Sequence, residues 1–110
     1  MPEVYITKAA KFLPNNPVSN DKMEAYLGMI DGIPSKGKSL TLRSNGIKTR
    51  YYSIDADGKS THSNAKMTAL AIEKLIDESF KQTDIELLAC GTTSPDNLLP
   101  SHSVMVHGEL

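Results

Sequence analysis

The sequence has 110 residues, of which 39% are hydrophobic and 23% charged, with a formal net charge of −1 and a single cysteine. This length allows one domain at most, and the hydrophobic content is enough for a modest core. The charge balance argues against nucleic acid or an anionic membrane as partner, and one cysteine excludes an internal disulfide. We find no signal peptide and no apolar run of about 20 residues, so we expect a cytoplasmic protein outside the membrane.

The first two predicted elements are a strand and a short helix. Residues 4–13 begin with β-forming side chains, and Val4 and Ile6 share one strand face. The Pro-Asn-Asn-Pro sequence at residues 14–17 ends this strand, and residues 19–21 offer N-cap side chains. Apolar side chains then recur at three- and four-residue spacing, which predicts an amphipathic helix. They are Met23, Tyr26, Leu27 and Ile30.

The next segment, residues 34–54, is basic. Its first part, PSKGKS, lacks the spacing of a P-loop and is either a solvated loop or a phosphate site. Asn45–Gly46 further on is typical of a hairpin turn. Three cations beside Tyr51 and Tyr52 either hold the phosphates of a cofactor or carrier or lie on a solvated hairpin. They are Arg43, Lys48 and Arg50.

The clearest predicted helix spans residues 61–80, and Thr61 or Ser63 is its expected cap. Its apolar side chains form two adjacent rows at i, i+4 spacing, which indicates a wide face for packing on a sheet. The rows are Met67, Ala71 and Leu75, then Thr68, Ile72, Ile76 and Phe80.

The C-terminal stretch predicts a buried strand, a polar turn and the start of a helix. Residues 85–90 are a short apolar run typical of a strand covered on both faces. Residues 91–97 are all turn formers, and Pro100 suits a first helical turn. This order marks the place where open α/β sheets bind ligands. The alternation predicts an α/β fold, and because a buried parallel strand needs neighbours on both sides, we expect residues 1–110 to be part of a larger domain.

Several side chains in this stretch have more than one interpretation. Cys90 lies inside the apolar run, which favours a neutral, structural thiol over a nucleophile. The three histidines lack metal-ligand spacing, which favours single, hydrogen-bonded side chains. Residues 92–94 could bind a carbonyl or a pantetheine-like arm, but a turn with a helix cap needs the same residue types. The residues alone leave these two interpretations of 92–94 open.

Four stretches together carry a family resemblance: VYITKAAKFLPNNPVSN, the Arg-x-x-Gly-Ile-x-x-Arg pattern at residues 43–50, SNAKMTALAIEKLI, and Gly-Thr-Thr-Ser-Pro-Asp with the following Leu-Pro-Ser at residues 91–101. With them the chain resembles the N-terminal segment of β-ketoacyl-acyl-carrier-protein synthase III-like enzymes of the thiolase superfamily. The resemblance implies a layered α/β/α, thiolase-like fold that is incomplete in this chain. It also implies a transferase of fatty acid or polyketide and resorcinol-type biosynthesis.

Such enzymes condense a cysteine-bound acyl group with a malonyl thioester on the carrier protein and release carbon dioxide. The resemblance implies that the catalytic Cys-His-Asn set follows Leu110, so that this chain has no catalytic residue and no activity alone. The alternative from another class is a self-contained small α/β module for binding or interaction.

The resemblance also assigns substrate-binding residues. Thr93 corresponds to a threonine beside the reactive cysteine, and Leu99 to an apolar residue that reaches into the acyl pocket of the partner in a dimer. Arg43, Lys48 and Arg50 fall near the basic mouth that receives the phosphopantetheine arm. We expect acyl carrier protein and acyl thioesters as partners, a homo-oligomer, and no cofactor, metal, nucleic acid or membrane. The absence of tryptophan favours a carrier-protein donor over coenzyme A.

Overall fold

A computed structural model describes residues 2–110, and the chain divides into two compact units. The middle unit is Pro14–His62, and the terminal unit combines the chain up to Leu13 with Ser63–Leu110. Helices and a small two-stranded sheet give the described residues a mixed α/β composition, as the sequence predicts. Within residues 2–110, no helix has the length and apolar character that crossing a membrane requires.

The middle unit is built on two short strands and two helices. Strands β1 (Val18–Ser19) and β2 (Thr49–Arg50) pair antiparallel, with Val18 opposite Arg50. A 3₁₀ turn at Asn20–Lys22 leads into helix α1 (Met23–Leu27), and helix α2 spans Lys38–Asn45. Val18 is almost fully buried, and Tyr26 and Tyr52 place their ring centroids 5.9 Å apart. Burial of this strand residue and contact between the two rings therefore hold the unit together.

Two sequence predictions for the middle unit need correction. Asn45–Gly46 does not form a hairpin turn, because residues 38–45 are helical and Gly46 ends α2. Gly46 has a φ of 68° and donates its N–H to the carbonyl of Leu42 at 3.1 Å, which is a left-handed C-cap. The first helix ends at Leu27, so that Ile30 lies outside it and is exposed. The same residues that favour a hairpin also favour a helix end, and the preceding helix decides between them.

The terminal unit is a pair of packed helices. Helix α3 (Asn64–Glu73) buries Ala65 and Ala69 against Val106 of helix α4 (His102–Glu109). Small alanine side chains allow this close approach of the two helices. Five partly buried side chains surround this cluster: Ile72, Leu88, Cys90, Met105 and Leu110.

Helix α3 begins where the sequence predicts and ends earlier. Ser63 is its N-cap, with the hydroxyl accepting the Lys66 N–H at 3.1 Å, so the choice between Thr61 and Ser63 falls on Ser63. The helix stops at Glu73 instead of residue 80. Beyond it the Asp77 carboxylate accepts the N–H groups of Ser79 and Phe80. This local turn competes with helical hydrogen bonding and replaces the last predicted turns.

The strands predicted within residues 4–13 and at residues 85–90 do not form in the described chain. Neither segment belongs to a sheet within residues 2–110. Leu87 is 84% exposed, and Val4 and Ile6 are more than nine-tenths exposed. A strand requires a neighbour that satisfies its N–H and C=O groups, and no described segment supplies one. The alternating apolar side chains are therefore present without the sheet that would bury them.

Candidate functional site

The polar turn at residues 91–97 is tied to the start of α3 by a carboxylate. Asp96 accepts the Asn64 N–H with Oδ1 and the Ala65 N–H with Oδ2, both at 2.8 Å. The first N–H groups of a helix have no partner inside the helix, and the helix dipole favours negative charge there. Asp96 therefore caps α3 from a position about thirty residues further along the chain.

The side chain of Asn64 binds the same turn from the opposite direction. Its Nδ2 donates to the Thr92 hydroxyl at 3.0 Å and to the carbonyl of Ser94. The Thr92 hydroxyl in turn accepts the Ser94 N–H at 3.2 Å. These bonds fix the backbone on both sides of Thr93. The Thr93 side chain is exposed and makes no hydrogen bond within residues 2–110, so its hydroxyl is available to a ligand.

The electrostatics of the turn follow from these bonds. The Ala65 and Asn64 N–H groups stabilise the charged carboxylate and hold the pKa of Asp96 below its usual value, with a smaller contribution from nearby His102. The carboxylate is exposed, so solvent screens part of this effect. Asp96 is ionised at neutral pH and serves as an acceptor for the helix.

His102 lies at the start of α4 and is only 8% exposed. Its Nε2 lies 3.2 Å from the hydroxyl of Thr68, which already donates its proton to the carbonyl of Asn64 at 3.0 Å. The Thr68 hydroxyl oxygen can therefore accept a hydrogen bond from Nε2–H of His102. Nδ1 is buried and has no hydrogen-bond partner among the described residues. The sequence prediction of a single, hydrogen-bonded histidine is confirmed for His102 by its contact with Thr68.

Cys90 lies half-buried in the extended segment before the turn, against the cluster of Ala65, Ala69 and Val106. This agrees with the structural interpretation of the thiol, although its segment is not a strand. Leu99, in contrast, is 85% exposed and precedes a cis peptide bond to Pro100. The terminal unit thus presents Thr93 and Leu99 at its surface and packs Cys90 against its core.

The basic candidates belong to the middle unit. Arg43 and Lys48 line a shallow groove of about 460 Å³ together with Lys38 and the amide side chain of Asn20. Arg50 is half-buried beside it and donates to Asn20 Oδ1, while its Nη1 is buried without a partner among the described residues. The structure therefore brings two of the three predicted cations, Arg43 and Lys48, to one groove. The third, Arg50, donates a hydrogen bond to Asn20, which also lines this groove.

Metal binding has no support in the part of the chain that the structure describes. Across residues 2–110, no three His, Cys, Asp or Glu side chains come together as metal ligands do. His102 and His107 both lie on α4, His62 lies in the middle unit, and His102 is bonded to Thr68.

Sequence reasoning missed Asp96 and Asn64 as residues that organise the site. Residues 91–97 were recognised as turn formers, but the partner of the turn was not. A carboxylate is stabilised near a helix N-terminus, so an acidic residue in a turn can serve as a cap. The sequence contains no indication of which N-terminus it serves, because Asp96 and α3 are about thirty residues apart.

Comparison with known proteins supports the family resemblance. No family model matches the chain. The chain is 31% identical over 98 residues to the β-ketoacyl-[acyl-carrier-protein] synthase III of Allorhizobium ampelinum, which covers 89% of this chain and 27% of that protein. It is 33% identical over 99 residues to the enzyme of the same name from Rickettsia prowazekii, covering 90% of the chain and 28% of the relative.

A third relative extends the match. The β-ketoacyl-[acyl-carrier-protein] synthase III of Chlorobaculum tepidum is 30% identical over 105 residues, or 96% of this chain and 29% of that protein. The chain thus spans less than a third of the length of the curated relatives that it matches. The resemblance predicted from the sequence is confirmed: this chain is similar to part of the β-ketoacyl-[acyl-carrier-protein] synthases III.

Proposed function

We propose that this chain is the N-terminal segment of a 3-oxoacyl-acyl-carrier-protein synthase III-like condensing enzyme with a thiolase-like, layered α/β/α fold. The observation that carries the proposal is the similarity of 30–33% over 89–96% of the chain to proteins that bear this one name. The exposed apolar side chains of Val4, Ile6 and Leu87 support it, because they suit strands of a larger sheet.

The proposed reaction is a decarboxylative Claisen condensation. An acyl group is held as a thioester on a cysteine, and a malonyl group arrives as a thioester of the acyl carrier protein. The malonyl carboxylate leaves as carbon dioxide, and the electron pair of the broken bond attacks the acyl carbonyl. The cysteine thiolate then departs, and the 3-oxoacyl product remains on the carrier. The chemistry uses thioester substrates and no cofactor.

The catalytic Cys-His-Asn set of this proposal lies beyond residue 110, so the chain alone is inactive. In this proposal Cys90 is a structural thiol, which its half-buried position against the α3–α4 core cluster supports. Thr93 and Leu99 contribute to the acyl-thioester site, and their exposure leaves them free to contact substrate or a second subunit. The enzyme acts as a cytoplasmic homo-oligomer.

The phosphopantetheine arm of the carrier binds near Arg43, Lys48 and Arg50. Arg43 and Lys48 share one groove, and paired cations suit a phosphodiester. Arg50 contributes by holding Asn20 at the groove wall. Carrier protein is favoured over free coenzyme A as donor, since the chain has no tryptophan to stack on adenine.

The test is acylation mapping on the protein at the full length that its gene encodes. After incubation with acyl thioester, mass spectrometry should find one acylated cysteine downstream of residue 110, and malonyl-carrier protein should then give 3-oxoacyl-carrier protein. A Cys90→Ser variant is the matched control and should retain full activity. Acylation at Cys90 would contradict the proposal. Carrier binding without any acylation would favour the interaction-module alternative.

A further inference from the structure

The turn at residues 91–97 and the start of α3 are joined by two reciprocal pairs of hydrogen bonds. Asp96 accepts two backbone N–H groups of the helix, and Asn64 donates twice to the turn. We name these two residues the turn latch. The latch contacts the Thr92 hydroxyl and the Ser94 carbonyl, on either side of Thr93, and it leaves the Thr93 side chain exposed.

The chemistry of the latch is specific at both residues. Asp96 uses both carboxylate oxygens, one for each N–H group, so an asparagine would offer only one acceptor and would turn an N–H₂ donor toward the other N–H. Asn64 must donate twice, so an aspartate or a short side chain in its place would lose both bonds. Ser63 caps the same helix locally through the Lys66 N–H, so the start of α3 has one cap that is independent of the latch.

We propose that Asp96 and Asn64 are positioning residues of the acyl-thioester site, which act by holding the Thr93 turn in one conformation. This rests on the function proposed above. A helix held by its own core and cap provides a rigid base, and the latch transfers that rigidity to an otherwise exposed turn. Neither residue touches substrate. Both act through Thr93 on the geometry of the acyl group.

The expected kinetic result is a loss confined to the chemical step. In the full-length protein, Asp96→Asn should lower kcat for condensation by about 10- to 100-fold, since small misplacements of a site residue have effects of this size. KM for the malonyl-carrier donor should change less than about twofold, because the groove of Arg43 and Lys48 is untouched. Asp96→Glu keeps both oxygens and should recover part of kcat.

Asp55→Asn is a matched control. Asp55 also accepts two backbone N–H groups, those of Asp57 and Lys59 at 2.9 Å each, but both bond to the single oxygen Oδ1. Asparagine retains that oxygen, so this variant should leave kcat unchanged. Asn64→Ala removes the other half of the latch and tests the same inference if Asp96→Asn does not fold.

Hydrogen exchange provides a readout that does not depend on activity. In Asp96→Asn, exchange in a peptide spanning residues 91–97 should accelerate about tenfold, while residues 67–73 of α3 keep their protection. Unchanged exchange in the turn, or equal acceleration throughout α3, would overturn the positioning role. So would a mobile turn with normal kcat. A wild-type protein without condensing activity would refute the proposed function and this role with it, even if the exchange data show that Asp96 orders the turn.

Discussion

Single carboxylates hold a loop in place in each of the two units. In the terminal unit Asp96 binds the start of α3, and in the middle unit Glu24 of α1 accepts the Ser35 N–H at 2.9 Å and Lys38 Nζ at 3.0 Å. Both carboxylates accept backbone N–H groups that would otherwise lack a partner. The loops depend on ionised acids, and their stability should therefore depend on pH.

For Glu24 the sign of this dependence is defined. The Ser35 N–H first, and Lys38 second, hold the pKa of Glu24 below its usual value. A depressed pKa contributes stability above the unfolded value, which is about 4.3, and the contribution is lost as pH falls through the lower folded value. We expect Glu24→Gln to lower the melting temperature at pH 7, and we expect this difference to shrink progressively as the pH falls below the unfolded value.

The control for this prediction is Glu73→Gln. Glu73 is an exposed residue at the end of α3, and its substitution should change the melting temperature little at any pH. A difference between wild type and Glu24→Gln that stays constant down to pH 3 would show that packing, and not the charge of Glu24, holds the loop.

At the scale of elements, the residues at helix ends show how far a local sequence pattern determines where a helix starts and stops. Ser63 starts α3 through its own hydroxyl, and Gly46 ends α2 in the left-handed region. Ser101 stands at the corresponding position of α4 but makes no capping bond with its side chain. A residue type that favours a cap therefore indicates a position, and the geometry around it decides whether the bond forms.

Two glycine-to-alanine substitutions should have opposite effects. Gly46→Ala places a Cβ on a residue with φ of 68° and should destabilise the protein by about 1 kcal/mol, although no atom lies within 4 Å of the new carbon. Gly108 lies inside α4 with no positive φ and equally open surroundings, so Gly108→Ala should stabilise by about 0.5 kcal/mol. Urea unfolding measures both. A neutral Gly46→Ala would contradict the left-handed conformation of Gly46 in the helix C-cap.

At the scale of the whole molecule, exposed apolar side chains are the dominant feature of the terminal unit. Large apolar side chains are exposed to solvent on both sides of the turn at residues 91–97 and in residues 4–6. Such surfaces normally contact another chain or another part of the same protein. They are Val4, Tyr5, Ile6, Leu87, Leu98 and Leu99.

We therefore expect the 110-residue chain by itself to self-associate. Light scattering at tens of micromolar should give a mass above that of the monomer, and Leu87→Ser should lower it, because Leu87 is the most exposed large apolar residue of segment 85–90. Glu86→Ser, at the neighbouring exposed position, is the control and should not lower the mass. A well-behaved monomer would argue against unpartnered strands.

How far the fold could be predicted depended on the distance between interacting residues. The Ser63 cap was predictable because the bond joins residues only three positions apart, Ser63 and Lys66. The spacing of apolar side chains also predicted α3, and this helix forms. The turn residues at 91–97 and the structural character of Cys90 were also predicted from local patterns. Residues 43–50 and 91–101 carried the family resemblance, which the comparisons with known proteins confirm.

The tertiary structure decided everything that needs a distant partner. Residues 85–90 have the composition of a strand, but a strand forms only where another segment accepts its hydrogen bonds. Asn45–Gly46 is compatible with a hairpin or a helix end, and α2 selected the second. The latch of Asp96 and Asn64 joins residues about thirty positions apart, so only the packed chain could reveal it. Local side-chain chemistry is present in the sequence itself, whereas a partner for each hydrogen bond exists only once the chain has folded.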